Sequence, residues 1–142
     1  MRPMDRLLLD TNVILDVLGA REPFVADSKR LWEFCETGHA EGWVSAITFN
    51  NVFYILRKLT TAAVARRHLR DLHRIFQIAP VDGMLVDVAL ASSQPDFEDA
   101  IQYASAVSIQ AACLISRNLD DFPRKGPVPV RTPASYLRSL GL

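Results

Sequence analysis

A chain of 142 residues that is 49% apolar and 23% charged is long enough to bury a core and too apolar to stay disordered. Lys+Arg and Asp+Glu both number 16, so the net charge is zero. That excludes a generally basic nucleic-acid binder; any such contact must come from a local patch.

These figures predict one domain over residues 1–142. No apolar run approaches the roughly 18 residues of a membrane span. The first ten residues carry arginines but neither the apolar stretch nor the small-residue cleavage site of a signal peptide. Cys35 and Cys113 lie far apart, in no metal-type spacing, and read as buried apolar fillers. A reduced, cytoplasmic compartment is the matching expectation.

Arg6–Leu9 reads as a buried strand running into Asp10-Thr11-Asn12. Residues 13–18 form a helical turn or two, and 24–37 a helix closed by Gly38. A second strand covers 43–45. The helix Ala46–Leu59 follows, with Val52, Ile55, Leu56 and Leu59 as its apolar positions. Residues 61–76 make the clearest helix, because Ala62, Ala65, Leu69, Leu72 and Phe76 recur at spacings of three and four. A strand at 78–81, a helix at 84–91, a loop at 92–95 and a helix at 96–110 come next. Strands at 112–116 and 128–131 and a closing helix at 134–140 complete the chain. Strands alternating with helices predict a mostly parallel sheet covered on both faces.

In open α/β sheets, ligands bind beyond the carboxyl ends of the strands. The polar residues that follow a predicted strand are therefore the candidates. Asp10 and Asn12 follow the first strand; Ser45 and Thr48 follow the second, with Asn50 and Asn51 opening the next helix. Asp82 follows the third. Ser116, Arg117, Asn118, Asp120 and Asp121 follow the fourth, and Asp96, Glu98 and Asp99 open the helix before it. Carboxylates gathered at one sheet end repel unless a cation neutralises them, and oxygen donors suit Mg²⁺ or Mn²⁺. Each acid also has a plain structural role open to it. Asp10 can end a strand in an Asx-turn, Asp96 can cap a helix, and Asp120 and Asp121 can form a turn. Asp16 and Asp82 read as structural or peripheral.

Four segments resemble the ordered motifs of the PIN domain family. They are Leu7-Leu8-Leu9-Asp10-Thr11-Asn12-Val13, Val44-Ser45-Ala46-Ile47-Thr48-Phe49-Asn50-Asn51, Asp96-Phe97-Glu98-Asp99-Ala100-Ile101-Gln102-Tyr103 and Leu114-Ile115-Ser116-Arg117-Asn118-Leu119-Asp120-Asp121-Phe122. The resemblance implies a three-layer αβα sandwich around a short parallel sheet. It implies Mg²⁺- or Mn²⁺-dependent cleavage of RNA to 5′-phosphate and 3′-hydroxyl ends. It also suggests the toxin of a VapBC-type pair, a homodimer with a cognate antitoxin. By motif match, Asp10, Asp99 and Asp121 take the family's metal-ligand and catalytic positions. Asn12, Ser45, Asp96, Glu98, Ser116 and Asn118 are candidates for supporting or substrate contacts. The second motif departs from the family's pattern: Asn51 stands where a glutamate is usual. An asparagine carbonyl can ligate a hard cation but brings no charge. Glu98 or Asp96 can compensate; otherwise the domain binds RNA or a protein partner and cuts weakly or not at all.

Arg66, Arg70 and Arg74 recur every four residues away from the apolar seam of the 61–76 helix. They read as a solvated face, a phosphate track or an antitoxin-docking surface. Lys58 and Arg117 are nearer candidates for phosphate contact. His39, His68 and His73 fall outside the motifs and read as surface or packing residues. A haloacid-dehalogenase-like phosphatase would want a second aspartate at position 12, where Asn12 stands.

Overall fold

The computed structural model describes residues 3–142; residues 1 and 2, part of the stretch read for a signal peptide, lie outside it. Five strands alternate with helices. They are β1 (Arg6–Leu9), β2 (Glu41–Ser45), β3 (Gln77–Ala79), β4 (Cys113–Ile115) and β5 (Val130–Arg131). The helices are α1 (Thr11–Leu18), α2 (Val25–Glu36), α3 (Ala46–Leu59), α4 (Ala62–Ile75), α5 (Gly83–Ala91), α6 (Phe97–Ser108) and α7 (Pro133–Ser139). The strands pair in the order β3-β2-β1-β4-β5, every pair parallel.

β1 is the central strand, and Leu7, Leu8 and Leu9 are wholly buried. Alternation along the strand divides them between two cores. Leu7 and Leu9 pack with apolar residues of α1, α2, α3, α4 and α7, while Leu8 packs with Ala106 and Ile109 against Leu114. α5 closes over α6 through Leu85, Ala89, Ile101 and Ala104. The expected three layers are therefore present. The chain winds outward from β1 to β3, then returns to the other side of β1 to lay down β4 and β5. The crevice between the carboxyl ends of β1 and β4 is thus the topological switch point.

Short polar residues start the helices. Among the described residues, every α-helix but α2 begins on a side chain that accepts from a backbone amide of its first turn: Asp10, Ser45, Thr61, Asp82, Asp96 and Thr132. Asp10 caps α1 directly, so that helix starts at Thr11 rather than at 13. β3 ends at Ala79 rather than at 81 because Pro80 has no N–H to continue the ladder. On α3 the inward face is Thr48, Val52 and Leu56. The predicted apolar positions Ile55 and Leu59 are instead 40% and 72% exposed. Ile55 is turned about 100° from Leu56, which carries it off that face. On α4, Ala65 and Leu72 are buried while Ala62 is exposed, and Phe76 is buried one residue past the helix. Cys35 and Cys113 are buried free thiols.

Gly42 sits where β2 passes under Phe76. A β-carbon there would lie 2.5 Å from the Phe76 ring and 3.2 Å from Cys35 Cβ. Phe76 is itself packed edge-on against Trp32 at 5.0 Å between centroids. Gly42→Ala is expected to cost about 1–3 kcal/mol through overpacking, read as a lower urea midpoint at unchanged m-value. An unaltered midpoint would mean that the ring swings aside freely.

Candidate active site

Asp10 follows β1 and is 5% exposed. Both of its oxygens are held: Oδ1 accepts from the Thr11 amide at 2.7 Å, and Oδ2 from the Ser116 hydroxyl at 2.8 Å. Ser116 follows β4, so this one bond ties the two strand ends of the switch point. Its hydroxyl also accepts from the Asn118 amide at 3.1 Å and from Asn12 Nδ2 at 3.4 Å. Asn12 Oδ1 is buried without a hydrogen-bond partner among the described residues.

Around Asp10 the first turn of α6 contributes Asp96, Glu98 and Asp99, and a short 3-10 turn, Leu119–Asp121, contributes Asp121. A cavity of about 380 Å³ is lined by Asp10, Asn12, Asp96, Glu98, Asp99, Asn118 and Asp121, with Arg21 and Arg117 beside them. An adjoining cavity of about 330 Å³ shares Asp96, Asp99 and Asp121. Asp96 also fills its structural role, accepting from the Asp99 amide at 3.0 Å as the cap of α6.

Burial, and crowding after it, show in the proton affinities. Burial pushes the Asp10 carboxyl up from 3.8 to about 6; its bonds from Ser116 and Thr11 work the other way, and Glu98 and Asp121 add to the rise. Asp99 is pushed up from 3.8 to about 7 by burial and by Asp10, Asp96, Asp121 and Glu98, in that order. An oxygen-only donor set, excess negative charge and an orphaned Asn12 carbonyl fit a hard divalent cation. The acids share an open pocket rather than a closed cage. Among the described residues no three His, Cys, Asp or Glu side chains are already drawn together to hold a metal.

Ser45 and Asn51 do not line the pocket. Ser45 is buried and accepts from the Ile47 amide at 3.3 Å to start α3. Asn51 is half-buried, one turn beyond Thr48 on α3. Lys58, Arg66, Arg70 and Arg74 are exposed and stand apart from the acids; Arg66 lies over the Phe53 ring and Arg74 pairs with Asp71. Asp82 caps α5, as a structural reading expects. His39 bonds Thr37 and stacks on Phe34, and His73 packs against Phe49.

Two supports escaped the sequence. Thr11 and Thr48 share a hydrogen bond at 2.9 Å, and the wholly buried Gln102 donates to both, at 3.2 and 2.9 Å. This bolt joins α1, α3 and α6 beside Asp10. Its signal was a glutamine in the apolar stretch of the third motif. The other is the pairing of Arg21 with Asp16: Asp16 reads as structural or peripheral and is buried, but Arg21 lies outside every motif and was not singled out. A separate, apolar cavity of about 430 Å³ lies along α5 and α6, lined by Met84, Leu85, Val88 and Tyr103.

The model of one family, described as the PIN domain, matches residues 6–120. The chain belongs to the PIN domain family. PIN domains are nucleases, and the pocket of this PIN domain carries acids from three of the four motifs that bear the resemblance. Its fold is also that of solved toxin structures. A toxin–antitoxin complex from Klebsiella pneumoniae is 25% identical, covers 89% of this chain and 97% of its own, and superposes with a TM-score of 0.69. VapBC-1 from nontypeable Haemophilus influenzae is 16% identical, with coverage of 91% and 98% and a TM-score of 0.69. The Mycobacterium tuberculosis VapC20 toxin, which cleaves the sarcin–ricin loop, is 16% identical, with coverage of 76% and 86% and a TM-score of 0.63. No curated protein matches this PIN domain. Among the described residues, no helix is long and apolar enough to cross a membrane.

Proposed function

We propose that this PIN domain is a Mg²⁺- or Mn²⁺-dependent endoribonuclease, the toxin of a type II toxin–antitoxin pair acting in the cytoplasm. The observation that carries this reading is the gathering of Asp10, Asp96, Glu98, Asp99 and Asp121 on one pocket at the switch point of the sheet. Likeness to chains from toxin–antitoxin complexes supports an antitoxin partner; a homodimer is part of the same proposal.

Asp10, Asp99 and Asp121 would hold the cation. When bound, it supplies acidification of a water nucleophile and neutralisation of charge at the scissile phosphate. The chain's own work is to present the carboxylates. Ser116 and the Thr11 amide fix the plane of Asp10, and the Thr11–Thr48–Gln102 bolt holds α1 against α6, which carries Asp99. Asp96 and Glu98 supply further negative charge, and Asn12 and Asn118 offer neutral polar groups to ligand or substrate.

Five acids line this pocket without a contribution from residue 51, so catalysis is expected to stand without the usual glutamate. The test is cleavage of RNA by the pure protein with Mn²⁺ and with chelator, beside the Asn51→Glu variant. Wild type is expected to cut only with metal, and Asn51→Glu to change the rate by less than about threefold. A silent wild type joined to a strong gain in the variant would favour a domain that binds RNA or a partner without cutting. The observation behind that second reading is Asn51 itself, the one motif position that lacks its acid.

A further inference from the structure

Asp16 lies inside α1, and its carboxylate is wholly buried. Its Oδ1 accepts from Arg21 Nε at 3.2 Å, and its Oδ2 from Arg117 Nε at 2.8 Å and the Ser28 hydroxyl at 3.3 Å. Arg21 reaches on from Nη2 to the Asn12 carbonyl at 3.3 Å. The Arg117 guanidinium also lies 4.0 Å from the centre of the Phe24 ring. One buried carboxylate therefore holds two guanidiniums, which leaves a unit of positive charge over. Both arginines line the pocket of the acids.

Fold stability alone does not call for this arrangement. A buried ion pair is commonly no more stabilising than apolar packing of the same volume. What it does supply is direction. Asp16 bonds each arginine through Nε, and the Phe24 face limits how the Arg117 plane can turn. Among the described residues the Nη groups of Arg117 make no hydrogen bond, which leaves a planar pair of donors unengaged on a residue that lines the pocket. Such an edge matches two oxygens of a phosphate, which a lysine cannot do in the same way.

We propose that Asp16 is a positioning residue that holds Arg117 and Arg21 as a clamp for a backbone phosphate of single-stranded RNA entering the acidic pocket. The clamp rests on the nuclease reading for its substrate, and it differs from the Arg66–Arg70–Arg74 stripe in lying beside the acids. It offsets the repulsion that five carboxylates would otherwise exert on a polyanion.

The experiment compares wild type with Arg117→Ala, Arg117→Lys, Arg21→Ala and Asp16→Asn. It reads kcat and KM for a single-stranded RNA oligonucleotide with Mn²⁺, anisotropy binding of that oligonucleotide without metal across a salt series, Mn²⁺ affinity, and thermal melting. Arg117→Ala is expected to raise KM at least about tenfold and to lower the salt slope of binding by about one, with Mn²⁺ affinity unchanged. Arg117→Lys keeps the charge but not the fork, so it should restore the slope and not KM. Asp16→Asn should raise KM in the same direction. A purely structural role would lower the melting temperature and leave KM and slope alone, which would overturn the clamp. A shift of Mn²⁺ affinity in step with KM would overturn it too, by showing that the arginines act through the acids. If wild type binds RNA but does not cut it, a lowered slope still upholds the clamp while the nuclease reading fails. A wild type that cuts, with variants of unchanged KM and slope, sinks the clamp and leaves the nuclease standing. Absence of RNA binding by wild type overturns both.

Discussion

Asp99→Asn is expected to reduce Mn²⁺-dependent RNA cleavage by at least about a hundredfold, since a proposed metal ligand loses its charge. Folding should be preserved. Among the described residues the Asp99 side chain accepts no hydrogen bond; it is the Asp99 backbone amide that engages the Asp96 cap. The substitution is nearly isosteric, and it removes one member of a group of mutually repelling acids. The melting temperature of the metal-free variant at neutral pH should therefore equal or exceed that of wild type. Asp10→Asn would be a less clean test, because both Asp10 oxygens accept hydrogen bonds that an amide cannot accept in full. Wild-type rates in Asp99→Asn would remove Asp99 from the catalytic set, and a lost rate with a collapsed melting transition would trace the loss to folding.

The second large effect is an opposite pH response of the metal-free and metal-bound protein. In the folded chain Asp10 and Asp99 hold their protons up to about 6 and about 7, against 3.8 as the ordinary value. Between pH 4 and 7 the folded state thus binds more protons than the unfolded one, and stability falls as pH rises through that window. Asp10, being buried, contributes up to about 3 kcal/mol to that loss. Asp99 is more open to water and contributes less than its shift implies. Divalent cation reverses the trend, because it binds the deprotonated acids and stabilises the folded state by mass action. Melting followed over pH 4–8, with and without Mn²⁺, should show these two groups lowering metal-free stability toward neutrality, and a Mn²⁺-induced rise near pH 7.5 that vanishes by about pH 5. An equal Mn²⁺ shift at pH 5 and 7.5 would rule out these carboxylates as the binding groups.

Local sequence determined the elements and the acids. Short polar residues stand before the apolar periodic runs, and these same residues cap the helices in the structure, Asp10, Ser45, Asp82 and Asp96 among them. Three consecutive leucines wholly buried in β1 are what a central parallel strand demands of a sequence. The order of motifs was likewise written along the chain, and the family match spans residues 6–120.

The tertiary structure alone decided which acids meet and what holds them. Spacing along a helix fixes which residues share a face, but not which face turns inward. Ile55 and Leu59 look like core and are exposed, because the packing of α3 against the sheet selects Thr48, Val52 and Leu56. Asn51 holds a motif position yet lies off the pocket, while Arg21, outside every motif, lies on it. The Thr11–Thr48–Gln102 bolt and the Asp16 clamp join residues up to 101 positions apart. No periodicity carries such pairings, since they arise only when parallel strands bring distant loops to one sheet end. What the sequence determined about this PIN domain is the donor set of hard oxygens around Asp10. What the fold decided is the burial of those donors and, after it, their closeness, which together lift Asp10 and Asp99 above an ordinary carboxyl and make the pocket fit for a cation.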